Sequence, residues 1–212
     1  MRYILIVSAV LCLLSEPPLG GGESPGLRGA VALAQDESSY ATYSPEQLDN
    51  LLAPIALYPD PLLAQMLPAA TFLDQIDEAA RYVRAYGQDG VDDQPWDVSV
   101  KAVAHYPAVL DMMADKMDWT TALGQAYVNQ STDVMESVQR LRAMANAQGN
   151  LVSTPEQEVI VEPGYYAIWP ANPQCLYVPF YDPMVIFFQN RLANVQHAPK
   201  CLKYRRSYRK ND

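Results

Sequence analysis

Few side chains in this sequence have types and spacings suited to chemistry. Asp111 and Asp115 stand four apart in an apolar-periodic stretch, so a helix there presents both carboxylates on one face. A carboxylate pair is the minimum for general acid–base hydrolysis, one member protonated and the other not. No partner base or metal ligand accompanies them, and a solvated acidic face is the plainer reading. His105 sits among apolar neighbours just before Pro107, where a lone histidine is more often packed than catalytic. Asp60, inside Tyr58-Pro59-Asp60-Pro61, has the form of a helix N-cap followed by proline at the first helical position. Asp89, Asp92 and Asp93 crowd a polar loop, without the alternating ligands and closing glutamate of a calcium loop. The two histidines, His105 and His197, are far apart, so no metal-ligand spacing exists and no cofactor is called for.

Aromatic residues offer a different chemistry, that of binding. Tyr165, Tyr166, Trp169, Tyr177 and Tyr181 fall in three short β-branched and aromatic runs near the C-terminal end. Together they have the makings of a stacking surface for a glycan or a peptide; the competing reading is that they pack on the helices.

The elements that must position these groups are mostly helical. Ser44-Pro45-Glu46-Gln47 is a capping box with proline at N1, and Leu48, Leu51, Leu52 and Ile55 continue as one apolar face. Pro59 ends that helix near 56 or 57, and Asp60-Pro61 starts the next. Thr71 is expected to cap a helix over 72–86 with Phe72, Ile76, Ala79, Ala80 and Val83 inward. Asp97 precedes a helix over 98–105, Pro107 restarts the chain, and Asp118 is expected to cap one long helix over 119–147 that Gly149 stops. Runs at 158–162, 165–169 and 175–181 then read as two or three short strands. The expected class is α+β, a bundle-like helical domain with a small antiparallel hairpin or sheet.

Composition adds the setting. Arg2 followed by the apolar run Ile4–Leu14, with Ala32-Leu33-Ala34 later, reads as an export signal over 1–34; the run is too short to span a bilayer as a helix. An uncleaved anchor is the rival reading. Residues 35–42 read as a linker, 43–150 as the helical domain, 151–187 as the β appendage and 188–212 as a basic, disordered tail. Residues 35–190 hold 6 Lys+Arg against 21 Asp+Glu, a net of −15, which excludes a nucleic-acid-binding body. Residues 191–212 hold 7 basic and 1 acidic residue, a net of +6, and are the piece suited to an anionic membrane surface. Cys175 and Cys201 either pair in an oxidising compartment or stay as two thiols, the second being slightly preferred because two cysteines make no framework.

Three stretches carry a resemblance: SPEQLDNLLAPIALYPDPLLAQML (44–67), the run from QPWDVSVKAVAHYP to STPEQ (94–157), and the strand region ending VPFYDP (178–183). In order and spacing they resemble the bacterial family called domain of unknown function 3300, over roughly 43–187. The resemblance implies exported envelope proteins of Gram-negative bacteria, with no activity assigned and no catalytic residues to carry over. Family members commonly continue past Tyr-Asp-Pro into a Pro-, Trp- and Tyr-rich segment, whereas this chain reads FFQNRLANVQHAPKCLKYRRSYRKND. That change is expected either of a truncated or frame-shifted product or of a real electrostatic tail. The leading expectation is a non-catalytic periplasmic protein that binds or scaffolds an envelope protein or glycan. The alternatives are a hydrolase of envelope polymers built on Asp111 and Asp115, and a membrane-surface protein held by its N-terminus or basic tail.

Overall fold

The computed structural model describes residues 42–188 and the backbone of 196–197. The expected signal segment, most of the linker and nearly all of the basic tail lie outside these residues. All described residues belong to one compact unit. Seven α-helices come first: α1 Pro45–Leu52, α2 Asp60–Ala69, α3 Leu73–Tyr86, α4 Val98–Ala104, α5 Pro107–Asp115, α6 Met117–Asn129 and α7 Ser131–Ala147. Strands β1 Gln157–Glu162 and β2 Tyr165–Pro170 follow as an antiparallel hairpin. β3 Pro179–Phe180, a π-helical turn Met184–Phe188 and β4 Gln196–His197 end it. The class is α+β, as expected. No helix among the described residues is long and apolar enough to cross a membrane.

Local signals explain many of the boundaries. Ser44 accepts from the Gln47 amide while the Gln47 side chain accepts from the Ser44 amide, so the capping box forms in full. Asp97 caps α4 through the Ser99 amide at 2.8 Å, and Asp182 accepts from Met184 ahead of the π-helical turn. Gly149 takes φ +74, and Asn150 N–H reaches back to the Ala145 carbonyl at 2.8 Å, closing α7. Pro163-Gly164 forms the hairpin turn, with Gly164 at φ +77.

Elsewhere the boundaries depart from local expectation. α1 stops at Leu52, earlier than expected, because Pro54 has no N–H to continue the ladder and the chain descends through single turns to Tyr58. Asp60 makes no cap bond, since its carboxylate is turned to Arg142 instead. Thr71 does not cap α3 either: its hydroxyl donates to the Pro68 carbonyl at 2.7 Å. Phe72 is then left at the surface rather than inward. The long helix expected from Asp118 is two helices. Gln130, at φ −141, breaks it, and its side chain accepts from the Tyr43 amide at 2.6 Å and donates to the Tyr43 carbonyl at 3.1 Å. At the entry to β1 the Thr154 hydroxyl oxygen accepts from the amides of Glu156 and Gln157. The third aromatic run does not join the hairpin, since β3 pairs with β4 in a separate two-stranded sheet.

One apolar core runs through all of this. Leu52, Ile55, Met66, Ile76, Leu110, Met113, Leu123 and Leu141 are fully buried, and Ile168 of β2 joins them, so hairpin and helices share one interior. Burying side chains of this size contributes about 1.5–3 kcal/mol each before entropy is counted. α6 crosses close to the end of α2, where Gly124 faces the backbone of Ala70; a Cβ at 124 would overlap that carbonyl. Cys175 is disulfide-bonded, against the slight preference for unpaired thiols, and its partner lies outside the described residues.

Candidate functional site

The hairpin lies beside α2 and α7 and leaves a groove of about 1250 Å³. Leu63 and Leu67 of α2, Tyr127 of α6, Met135 and Val138 of α7, and Tyr165, Tyr166 and Trp169 of β2 line it. The lining is predominantly apolar and aromatic, the usual make-up of a binding site. Met135, Tyr165 and Trp169 are each close to half exposed, at 48%, 48% and 44%. Apolar side chains of that size in one wall are not the random scatter of a surface.

Arg142 forms the back of the groove and is 1% exposed. Its Nε donates to the Ala56 carbonyl at 2.8 Å, Nη1 to the Tyr166 carbonyl at 2.8 Å, and Nη2 to the Tyr58 carbonyl at 3.0 Å. Nη2 also meets Oδ1 of Asp60 at 2.6 Å. One buried guanidinium thus gathers the segment after α1, the start of α2 and strand β2. Its planar fork of five donors suits such a hub, where a lysine would present a single point. The other groove cation, Arg140, pairs with Asp49 at 2.8 Å. Both arginines at the groove are therefore engaged from within the protein.

Beside them α7 makes a second attachment to β2. The Gln139 side chain accepts from the Tyr166 amide at 2.7 Å and donates to its carbonyl at 3.2 Å, occupying the strand edge as another strand would. The outer edge of β1 is similarly met, by the Ser153 hydroxyl on the Val159 amide at 2.9 Å.

The aromatic candidates divide. Tyr165, Tyr166 and Trp169 come together on the groove, while Tyr177 and Tyr181 do not line it. Tyr181 is a packing residue: its hydroxyl donates to the Ala53 carbonyl at 2.9 Å and accepts from the Leu57 amide at 3.2 Å. Its ring meets Tyr58 and Phe187 edge to face, with centroids 6.5 Å and 6.1 Å away. Burial drives the Tyr181 hydroxyl pKa far above the usual tyrosine range and pushes that of Tyr58 up to about 12.

Asp111 and Asp115 do share a helix face, but neither lines the groove. Arg84 of α3 spans them, Nε to Asp111 at 2.8 Å and Nη2 to Asp115 at 2.7 Å. The bonds from Asp115, then Asp111, raise the Arg84 pKa further above its ordinary value. His105 is buried at the end of α4, with Nε2 against Oδ1 of Asp92 at 2.9 Å. Among the described residues no group of three or more His, Cys, Asp or Glu side chains is placed to hold a metal ion.

The residue the sequence reading missed is Arg142. Its position held a signal: it falls four after Val138 and eight after Val134, on the apolar stripe of α7. A charge in such a stripe demands a partner. Nothing local pointed to Asp60 as that partner.

Comparison with known proteins places the chain in context. The family model described as protein of unknown function (DUF3300) matches residues 44–210, running past the stretches quoted above and into the basic segment. The "Uncharacterized protein YacH" of Escherichia coli (strain K12) is 33% identical over 198 residues, covering 75% of this chain. The chain spans about a third of the length of that relative, 32%. No solved structure matches.

Proposed function

We propose that this chain, which belongs to the DUF3300 family, is a non-catalytic, exported cell-envelope protein that binds a partner along the groove between α7 and β2. The carrying observation is the contrast at that site. Met135, Tyr165 and Trp169 of its apolar and aromatic wall are open to solvent, while Arg140 and Arg142 are paired with Asp49 and Asp60. The groove is equipped to hold a ligand and offers no convergent acid, base and nucleophile to transform it. Export is supported by the apolar run Ile4–Leu14 and by the disulfide at Cys175, a bond that persists in oxidising compartments. The hydrolase reading is weaker, because Arg84 occupies both Asp111 and Asp115. Attachment to a membrane surface rests on residues outside those described.

A photo-reactive benzoylphenylalanine in place of Trp169, with the same residue in place of exposed Tyr86 as control, tests the reading in cells expressing the full chain. Expected is a discrete envelope adduct in the periplasmic fraction from position 169 alone. Identical patterns at both positions, or a chain confined to the cytosol, would overturn it.

A further inference from the structure

We infer that the groove is selective for a cationic partner: a linear peptide segment in which arginine or lysine alternates with apolar or aromatic residues. The inference rests on the binding role proposed above and adds the chemistry of the occupant.

The argument is one of charge placement around an aromatic wall. In the β1–β2 register Glu158 is the partner of Trp169 and Glu162 the partner of Tyr165. Directly opposed residues of an antiparallel pair project from the same face, with Cβ atoms about 5 Å apart. Each exposed aromatic of the groove therefore has a carboxylate at its side. Glu136 of α7 lines the groove from the opposite bank. All three glutamates are exposed, and none has an ion-pair partner among the described residues. The two arginines that would offset them are already paired.

An aromatic face beside a carboxylate is the standard recognition surface for a guanidinium or ammonium group. The ring attracts the cation through its quadrupole, and the carboxylate adds a charge-assisted bond. The same rim repels phosphate, sulfate and acidic glycans. Apolar side chains of the segment would lie between Leu63, Leu67 and Met135. Docking by strand addition is disfavoured, since Gln139 and Ser153 already occupy hairpin edges. The segment is held through side chains.

Fluorescence anisotropy of labelled probe peptides on the full chain tests this. The probes are a short alternating arginine–tyrosine peptide, its glutamine–tyrosine and glutamate–tyrosine counterparts, and a chitin oligosaccharide as competitor. The arginine peptide is expected to bind at least about tenfold tighter than the glutamine one at low salt, and to weaken as salt screens the rim. Trp169→Ala should weaken it about tenfold, and so should the triple change Glu136→Gln, Glu158→Gln, Glu162→Gln, which leaves the core untouched. Preference for the glutamate peptide or the oligosaccharide, with the same Trp169 dependence, would overturn the charge inference and leave the binding role standing. Binding of no probe in a Trp169-dependent way would remove both. If the arginine peptide binds only after the lysines and arginines of residues 200–210 are changed to glutamine, with Cys201 kept, the occupant is the chain's own basic end, and the inference of a separate partner fails.

Discussion

Arg142 Nη2 lies 2.6 Å from Asp60 Oδ1, at the point where α7, α2 and β2 meet. The two ends of this pair differ in burial: the Arg142 side chain is 1% exposed and that of Asp60 25%. Loss of either member is therefore unequal. Arg142→Met strands the carbonyls of Ala56, Tyr58 and Tyr166 together with the carboxylate, and is expected to cost about 3–5 kcal/mol. Asp60→Asn keeps an acceptor near the guanidinium and should cost about half as much. Arg142→Lys should recover little, since one ammonium fails to span the same carbonyls. Urea midpoints of the three variants check this order.

Alkaline stability should depend on Tyr58. Its hydroxyl has Met112 Sδ, at 3.9 Å, as its contact, and burial raises its pKa from the ordinary 10.0 of tyrosine to about 12. A folded-state pKa above the unfolded one stabilises fully below pH 10. Between pH 10 and 12 the unfolded chain loses the proton while the folded chain keeps it. Stability then falls by about 1.4 kcal/mol per pH unit from this residue. Tyr58→Phe should be near neutral at pH 7 and show a shallower loss above pH 10. Denaturation midpoints from pH 7 to 11.5 decide it.

Gly124→Ala should destabilise in spite of helix propensity. The substitution gains about 1 kcal/mol within α6. The new methyl meets the Ala70 backbone, which has no rotamer to move, and overpacking of that kind costs about 1–3 kcal/mol. The clash is expected to win, with thermal melting as the readout. Gly149→Ala, where nothing lies within 4 Å of the added Cβ, isolates the cost of positive φ alone.

Gln139→Leu should loosen the hairpin and leave the helices intact. The Tyr166 amide loses its acceptor, while Arg142 still holds the carbonyl. Hydrogen exchange at Tyr166 is expected to quicken about tenfold or more, with the amides of α1 and α6 unchanged.

What could be read from the sequence was what chain neighbours decide. Ser44 and Gln47, Asp97, Pro107 and Gly149 each act within a few residues, and each sits where its type required. The aromatic wall was visible in part, because Tyr165, Tyr166 and Trp169 share one strand; Tyr181 looked alike by type and serves the interior. Two of the failures share a cause. Asp60 and Gln130 have side chains committed to distant charge or backbone, and local propensity contains no record of such partners. Gln130 splits an apolar stripe that kept its period on both sides, so periodicity alone showed one helix.

The hub at Arg142 also imposes an order in time. The carbonyls of Ala56 and Tyr58 lie between α1 and α2, yet the donors that satisfy them arrive with α7. Until that helix is made, those two carbonyls lack the partner that buries with them. A chain that ends before residue 142 leaves both carbonyls, and the carboxylate of Asp60, without the group that meets them in the interior.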